Sequence, residues 1–171
     1  REFTDVESHL VMSDSAQINI AAETDYSVKD VKALADQVYS NKDVGAAIAS
    51  GSFTTAGMII APCSIKTLSA VGNAYADSLL VRAADVVLKE RRRLVLVPRE
   101  TPLHTGHCEL LYKASQLGAV IAPPMPAHYI NPVSIDDLVN HHVGRLLDLF
   151  GLDAGLVRRW QGLKHGAPES D

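Results

Sequence analysis

The chain has 171 residues, 47% of them hydrophobic, enough for one well-buried core in the size range of a single domain, so 1–171 is read as one domain. Sixteen Lys and Arg against twenty Asp and Glu leave a formal charge of -4, which provides no overall basic field for a polyanion and argues against nucleic acid as a partner. Two cysteines, and apolar runs far shorter than the ~20 residues of a spanning helix, exclude a disulfide scaffold and a helical membrane anchor and fit a reducing cytoplasm.

In chain order, the first apolar run, 6–12, reads as a buried strand ending at Ser13, and a second, 56–61, runs out into APCSIKT (61–67), where a helix begins. Residues 77–91 read as a helix with Leu80, Ala84, Val87 and Leu88 on one face. Asp77 lies in its first turn, and Lys89 and Arg91 in its last, as the helix dipole favours. A third strand, 94–97, ends in PRETPLH (98–104). Leu110, Leu111, Ala114 and Leu117 then mark a helix closed by Gly118, and a fourth strand, 119–122, leads into PPMPAHY (123–129). Ser134 and Asp137 make a capping box for a helix over 134–150, which Gly151 stops. The polar end, 163–171, reads as a flexible tail. Strand alternating with helix predicts a parallel central sheet in a three-layer α/β fold of Rossmann-like or flavodoxin-like type.

Open parallel sheets bind ligands at the carboxyl ends of their strands, so the residues following each strand are the candidates for chemistry. In SIKT, the hydroxyls of Ser64 and Thr67, Lys66 and the helix N–H groups suit a phosphate or the polar edge of a ring; equally, Ser64 and Thr67 suit a plain helix cap. Cys63 reads as a core thiol rather than a nucleophile, because no His lies near it in sequence. Arg99 beside Glu100 suits a ligand anchor next to a proton-transfer group, or a surface ion pair. Arg82 and Lys89, seven apart, share a helix face that either meets an anion or is solvated. Tyr129 and Arg145 suit a phosphate if the fold brings them together. His104, His107 and Cys108 form half of a metal-ligand pattern with no second half, and no metal is expected.

Taken together, SHLVMS, GSFTTAGMIIAPCSIKTLS, RAADVVLKERRRLVLVPRETPLH, GAVIAPPMPAHY and the late RWQG resemble the UbiX-type flavin prenyltransferases, over about residues 5–162. The resemblance implies transfer of a dimethylallyl group from dimethylallyl monophosphate to N5 and C6 of reduced flavin mononucleotide (FMN). Such transfer builds a fourth ring and releases phosphate without a metal. It implies that Ser13, Ser64, Ile65, Lys66, Thr67 and Arg99 contact FMN, that Lys89, Tyr129 and Arg145 hold the prenyl phosphate with Arg82 assisting, and that Glu23 and Glu100 handle protons. Phe53 or Trp160 would supply an aromatic wall for the dimethylallyl group. It further implies a homo-oligomer, commonly a dodecamer, and a UbiD-type decarboxylase as recipient of the prenylated FMN.

The family pattern opens with a strand and a Gly-Ala-Ser-Gly type loop that this sequence lacks. The chain is therefore read as N-terminally incomplete, with one further strand and helix expected before Arg1, the alternative being a form that binds flavin poorly. Two other activities compete. One is a flavoprotein cysteine decarboxylase, against which SIKT stands where those enzymes carry an Asn-containing motif; the other is a non-catalytic flavin carrier or subunit of an aromatic acid decarboxylase.

Overall fold

The computed structural model describes Phe3 and residues 5–162, and the chain divides into two compact units, Arg1–Pro124 and Met125–Asp171. The expected tail, 163–171, lies outside the described residues.

The first unit is an α/β arrangement of parallel strands. In order it comprises β1 (His9–Met12), α1 (Asp14–Glu23), α2 (Val28–Ala33), β2 (Gln37–Ser40), β3 (Gly57–Cys63), α3 (Ile65–Gly72), α4 (Leu79–Lys89), β4 (Arg93–Pro98), α5 (Thr105–Gln116) and β5 (Val120–Ile121). Strand β4 lies between β3 and β5, and its run Leu94–Leu96 has no solvent exposure. A strand covered on both sides needs a continuous apolar run rather than an alternating one, and LVLV supplies it at about 1.5–3 kcal/mol per buried side chain. The cluster of Ile60, Leu68, Val71, Val81, Ala84 and Leu94 joins β3, α3, α4 and β4 into one core.

Instead of one continuous sheet, the strands form two hydrogen-bonded pieces, β1 with β2 and β3 with β4 and β5, all pairs parallel. Helix α4 touches β1, β3 and β4 and so packs on both pieces. Strand β2 and helix α1 carry no sequence signal of the kind used above, whereas α2 opens on a capping box, Ser27 with Asp30, of the same S-x-x-D form as 134–137. QVYS is short and mostly exposed, as an edge strand is, and neither helix buries a residue completely.

In the second unit a 3₁₀ turn (His128–Ile130) precedes α6 (Ile135–Asp148). The capping box that starts α6 is complete: the Asp137 N–H donates to Ser134 Oγ at 3.1 Å, and Asp137 Oδ2 accepts from the Ser134 N–H at 3.0 Å. Residues 156–157 run back over α6 at Gly144, where an added Cβ would stand 2.6 Å from Val157 Cγ2 and 3.0 Å from Leu156 Cβ. Arg158 Nη1 donates to the Ile130 carbonyl at 2.7 Å and ties this returning segment to the 3₁₀ turn. No helix among the described residues is long and apolar enough to cross a membrane.

Candidate active site

Because the strands are parallel, their carboxyl ends present Ser13 after β1, Ser64 after β3 and Arg99 after β4. Ser13 and Ser64 are set by local structure. Ser13 caps α1, its Oγ accepting from the Ala16 N–H at 3.1 Å, and Ser64 caps α3, its Oγ accepting from the Thr67 N–H at 3.2 Å. The capping reading of SIKT is thus correct, and it does not displace the ligand reading. Caps satisfy single donors, and the Ile65 and Lys66 N–H groups still open out of the first turn of α3 beside the exposed Lys66 side chain. Ile65 itself packs against the core and fixes that turn.

Arg99 and Glu23 meet across 76 residues in a two-pronged pair, Nη1 to Oε2 at 2.6 Å and Nη2 to Oε1 at 2.9 Å. The Arg99 hydrogen bonds hold the Glu23 carboxyl below its ordinary range, so it is a carboxylate at neutral pH. Glu100 is not Arg99's partner; its carboxylate accepts from the Thr101 N–H at 3.0 Å. The neighbouring ion pair weighed from sequence is therefore replaced by a long-range one that sequence spacing does not reveal. At the ends of β1 and β2 a cleft of about 250 Å³ is lined by Met12, Asp14, Gln17, Tyr39, Ser40 and Lys42, among others.

The cations on α4 are already engaged. Arg82 donates Nε to the Ala49 carbonyl at 3.2 Å and Nη1 to Asp85 at 3.0 Å, and Lys89 pairs with Glu90. Phe53 lies edge-on to His9, with ring centroids 5.3 Å apart. Cys63 is 1% exposed, and burial pushes its thiol up to about 12, which makes it the core residue the sequence suggested. His104 caps α5, its Nδ1 accepting from the Gly106 N–H at 3.1 Å, and its ring lies tilted against that of His107 with centroids 3.6 Å apart. Among the described residues no group of three or more His, Cys, Asp or Glu could hold a metal ion.

In the second unit Tyr129 is bonded to a residue not considered from sequence. Its hydroxyl lies 3.0 Å from His141 Nε2, the two rings meet edge to face, and Trp160 stands edge-on to Tyr129 at 5.9 Å. His141 and Arg145 are four apart on α6 and share a face, so the phenol stands beside the stripe that carries Arg145. Arg145 donates to Asp148 at 2.8 Å, and Arg159 grips the same carboxylate with both Nη atoms. These contacts, Arg159's first, hold Asp148 below the ordinary aspartate range. Beside His141, burial and then its neighbour lower the pKa of His142, leaving that imidazole neutral at pH 7.

The donors at the strand ends, namely hydroxyls, helix N–H groups, one guanidinium and one lysine, fit the polar rim and phosphate of a flavin mononucleotide. Parallel strands with a donor-rich carboxyl edge define a nucleotide-binding α/β protein, and residues 2–146 match the Flavoprotein family model. A flavin prenyltransferase UbiX from Thauera aromatica is 60% identical over 157 residues, 92% of this chain and 81% of that one. Two solved structures superpose with a TM-score of 0.92: a dodecameric FMN-dependent UbiX-like decarboxylase from Escherichia coli O157:H7 and AnUbiX in complex with FMN and dimethylallyl pyrophosphate. The first is 55% identical, covering 94% of this chain and 87% of that one; the second is 52% identical, covering 94% and 85%. The chain belongs to the UbiX-type flavin prenyltransferase family.

Proposed function

We propose that the chain transfers a dimethylallyl group from dimethylallyl monophosphate to reduced FMN, forming prenylated FMN and inorganic phosphate. Reduced FMN, when bound, supplies the nucleophilic N5 and C6 positions. Ser13, Ser64, Ile65, Lys66, Thr67 and Arg99 hold it at the strand ends. Lys89, Tyr129 and Arg145, assisted by Arg82, bind the prenyl phosphate. They stabilise the charge that collects on phosphate as its carbon–oxygen bond breaks, an interaction that strengthens where water is excluded. The flavin gains C5H8 net, so one proton leaves it for each C5H9 unit received. The Glu23 carboxylate is proposed as the acceptor on its position, bonded to the flavin anchor Arg99, although that pairing weakens it as a base, with Glu100 as the second proton-handling group. Trp160, edge-on to Tyr129, supplies the apolar wall; Phe53 packs on His9 at the start of β1, at the opposite end of the strand from Ser13, and is not assigned to it.

The observation that carries this reading is the pairing of Arg99 with Glu23 at the mouth of β4, which puts an anionic base next to the proposed flavin donors. The AnUbiX complex, with FMN and a dimethylallyl ester bound in a closely similar chain, supports the same pair of ligands here. Large apolar side chains at the surface, Val133 at 95% and Ile135 at 79% exposure, support self-association, and the dodecamer of the Escherichia coli relative is the assembly proposed. The protein is proposed to act in the cytoplasm and to pass its product to a UbiD-type decarboxylase.

The test is anaerobic incubation with reduced FMN and either dimethylallyl monophosphate or the pyrophosphate, followed by mass spectrometry. A flavin heavier by C5H8 with release of the phosphate or pyrophosphate is expected from at least one ester. Unmodified flavin with both would refute the proposal.

A further inference from the structure

We propose that His141 is a positioning residue for prenyl-phosphate binding: its Nε2–H donates to the Tyr129 oxygen and so turns the single phenol proton outward to a phosphate oxygen. The inference rests on the assignment of Tyr129 to the prenyl phosphate made above.

A phenol has one proton to donate, and a neutral imidazole has one N–H and one lone-pair nitrogen. The 3.0 Å contact between Tyr129 Oη and His141 Nε2 can therefore run in two directions. If Nε2 accepts, the phenol proton is spent on His141, and Tyr129 presents only lone pairs to an approaching anion. The imidazole proton then sits on Nδ1, which is buried and has no hydrogen-bond partner among the described residues. If Nε2–H donates, the phenol proton is free for an anion, and the buried Nδ1 carries only an unused lone pair. Orphaned buried donors are the rarer of the two outcomes on the backbone, and the same desolvation argument applies to the ring. Both considerations select the Nε2–H tautomer.

The surroundings fit a holder rather than a reacting group. His141 is 4% exposed and Tyr129 54%, so the imidazole stands behind the phenol and only the phenol meets solvent. The edge of Trp160 fixes the phenol ring from another side, and the His141 ring meets it edge to face at 5.6 Å. Arg145, one turn further along α6, lies on the same face.

Two experiments test this. In the wild-type protein, long-range proton–nitrogen NMR of labelled histidine should report His141 with its proton on Nε2; a proton on Nδ1 would overturn the proposal whether or not the protein is active. In turnover assays, His141→Phe should raise KM for dimethylallyl monophosphate about tenfold, the worth of one lost orienting hydrogen bond. FMN affinity should be unchanged, and His141→Gln, which retains an N–H donor, should recover most of the loss. In a Tyr129→Phe background the His141→Phe penalty should shrink to less than about twofold, because coupled residues do not add. An undiminished penalty there, or a wild-type KM in His141→Phe, would refute the positioning role. Absence of prenylated flavin from the wild-type enzyme would instead refute the function on which it rests.

Discussion

Replacing Ser134 by Ala removes the hydroxyl that accepts the Asp137 N–H at 3.1 Å at the start of α6. Loss of a serine N-cap costs about 1 kcal/mol, with a range of about 0.5–2, which corresponds to a fall in Tm of about 2–4 °C in a chain of this size. The molecule contains its own control: Ser78 is the N-cap residue of α4 but makes no side-chain capping bond, so Ser78→Ala should change Tm by less than about 1 °C. The other half of the box adds a pH signature. Hydrogen bonds from the Val133 and Ser134 N–H groups hold Asp137 below its ordinary value of 3.8. A carboxylate depressed in the folded state adds stability above its unfolded pKa and loses it as pH falls through the lower folded value. Asp137→Asn should therefore be less stable than wild type at pH 7, with the gap closing below about pH 4. Thermal unfolding monitored by circular dichroism at several pH values checks all three variants. Equal losses from Ser134→Ala and Ser78→Ala, or a pH-independent gap for Asp137→Asn, would refute the capping argument.

Arg99→Gln should raise the Glu23 pKa toward the ordinary glutamate range and move the acid limb of the kcat/KM profile upward, while weakening FMN binding; carbon NMR titration of labelled glutamate reads the shift directly. Iodoacetamide at pH 8 should label the exposed Cys108 and spare Cys63 until the protein unfolds, since burial both encloses the Cys63 thiol and pushes it up to about 12; peptide mapping distinguishes the sites. Gly144→Val should lower Tm and raise KM for dimethylallyl monophosphate, because its Cβ alone would crowd Val157 Cγ2 at 2.6 Å and push back the segment that leads to Trp160. A wild-type KM in that variant would dissociate the segment's packing from substrate binding.

What the sequence made legible follows from how local each signal is. The run Leu94–Val97 reads as a buried strand because four consecutive apolar residues between Arg93 and Pro98 admit few other fates, and Ser134 with Asp137 announces α6 because both partners lie within one turn. Helix α1 and strand β2 escaped because neither buries a side chain fully, so no period marks them. Within the site, the SIKT cap is local and was visible. The Arg99–Glu23 pair is not: it closes only when α1 and the end of β4 fold together, and the adjacent Glu100 is a decoy in the sequence. His141 had a usable signal, its spacing of four from Arg145, but its meaning depends on Tyr129 arriving from the preceding turn.

The cations proposed for the prenyl phosphate share one feature. Arg82 is paired with Asp85, Lys89 with Glu90 and Arg145 with Asp148, and each cation keeps between 38% and 55% of its side chain exposed. Ion pairs on side chains this exposed are weak, so under the proposed assignment a phosphate dianion would take over a cation at little cost, whereas a fully buried pair would resist the exchange. Asp148 is the most constrained of the three, with a side chain only 14% exposed and a second grip from Arg159. Under the proposed assignment, transfer of Arg145 to phosphate would leave Arg159 on Asp148, so the carboxylate would not become an unpaired, partly buried charge.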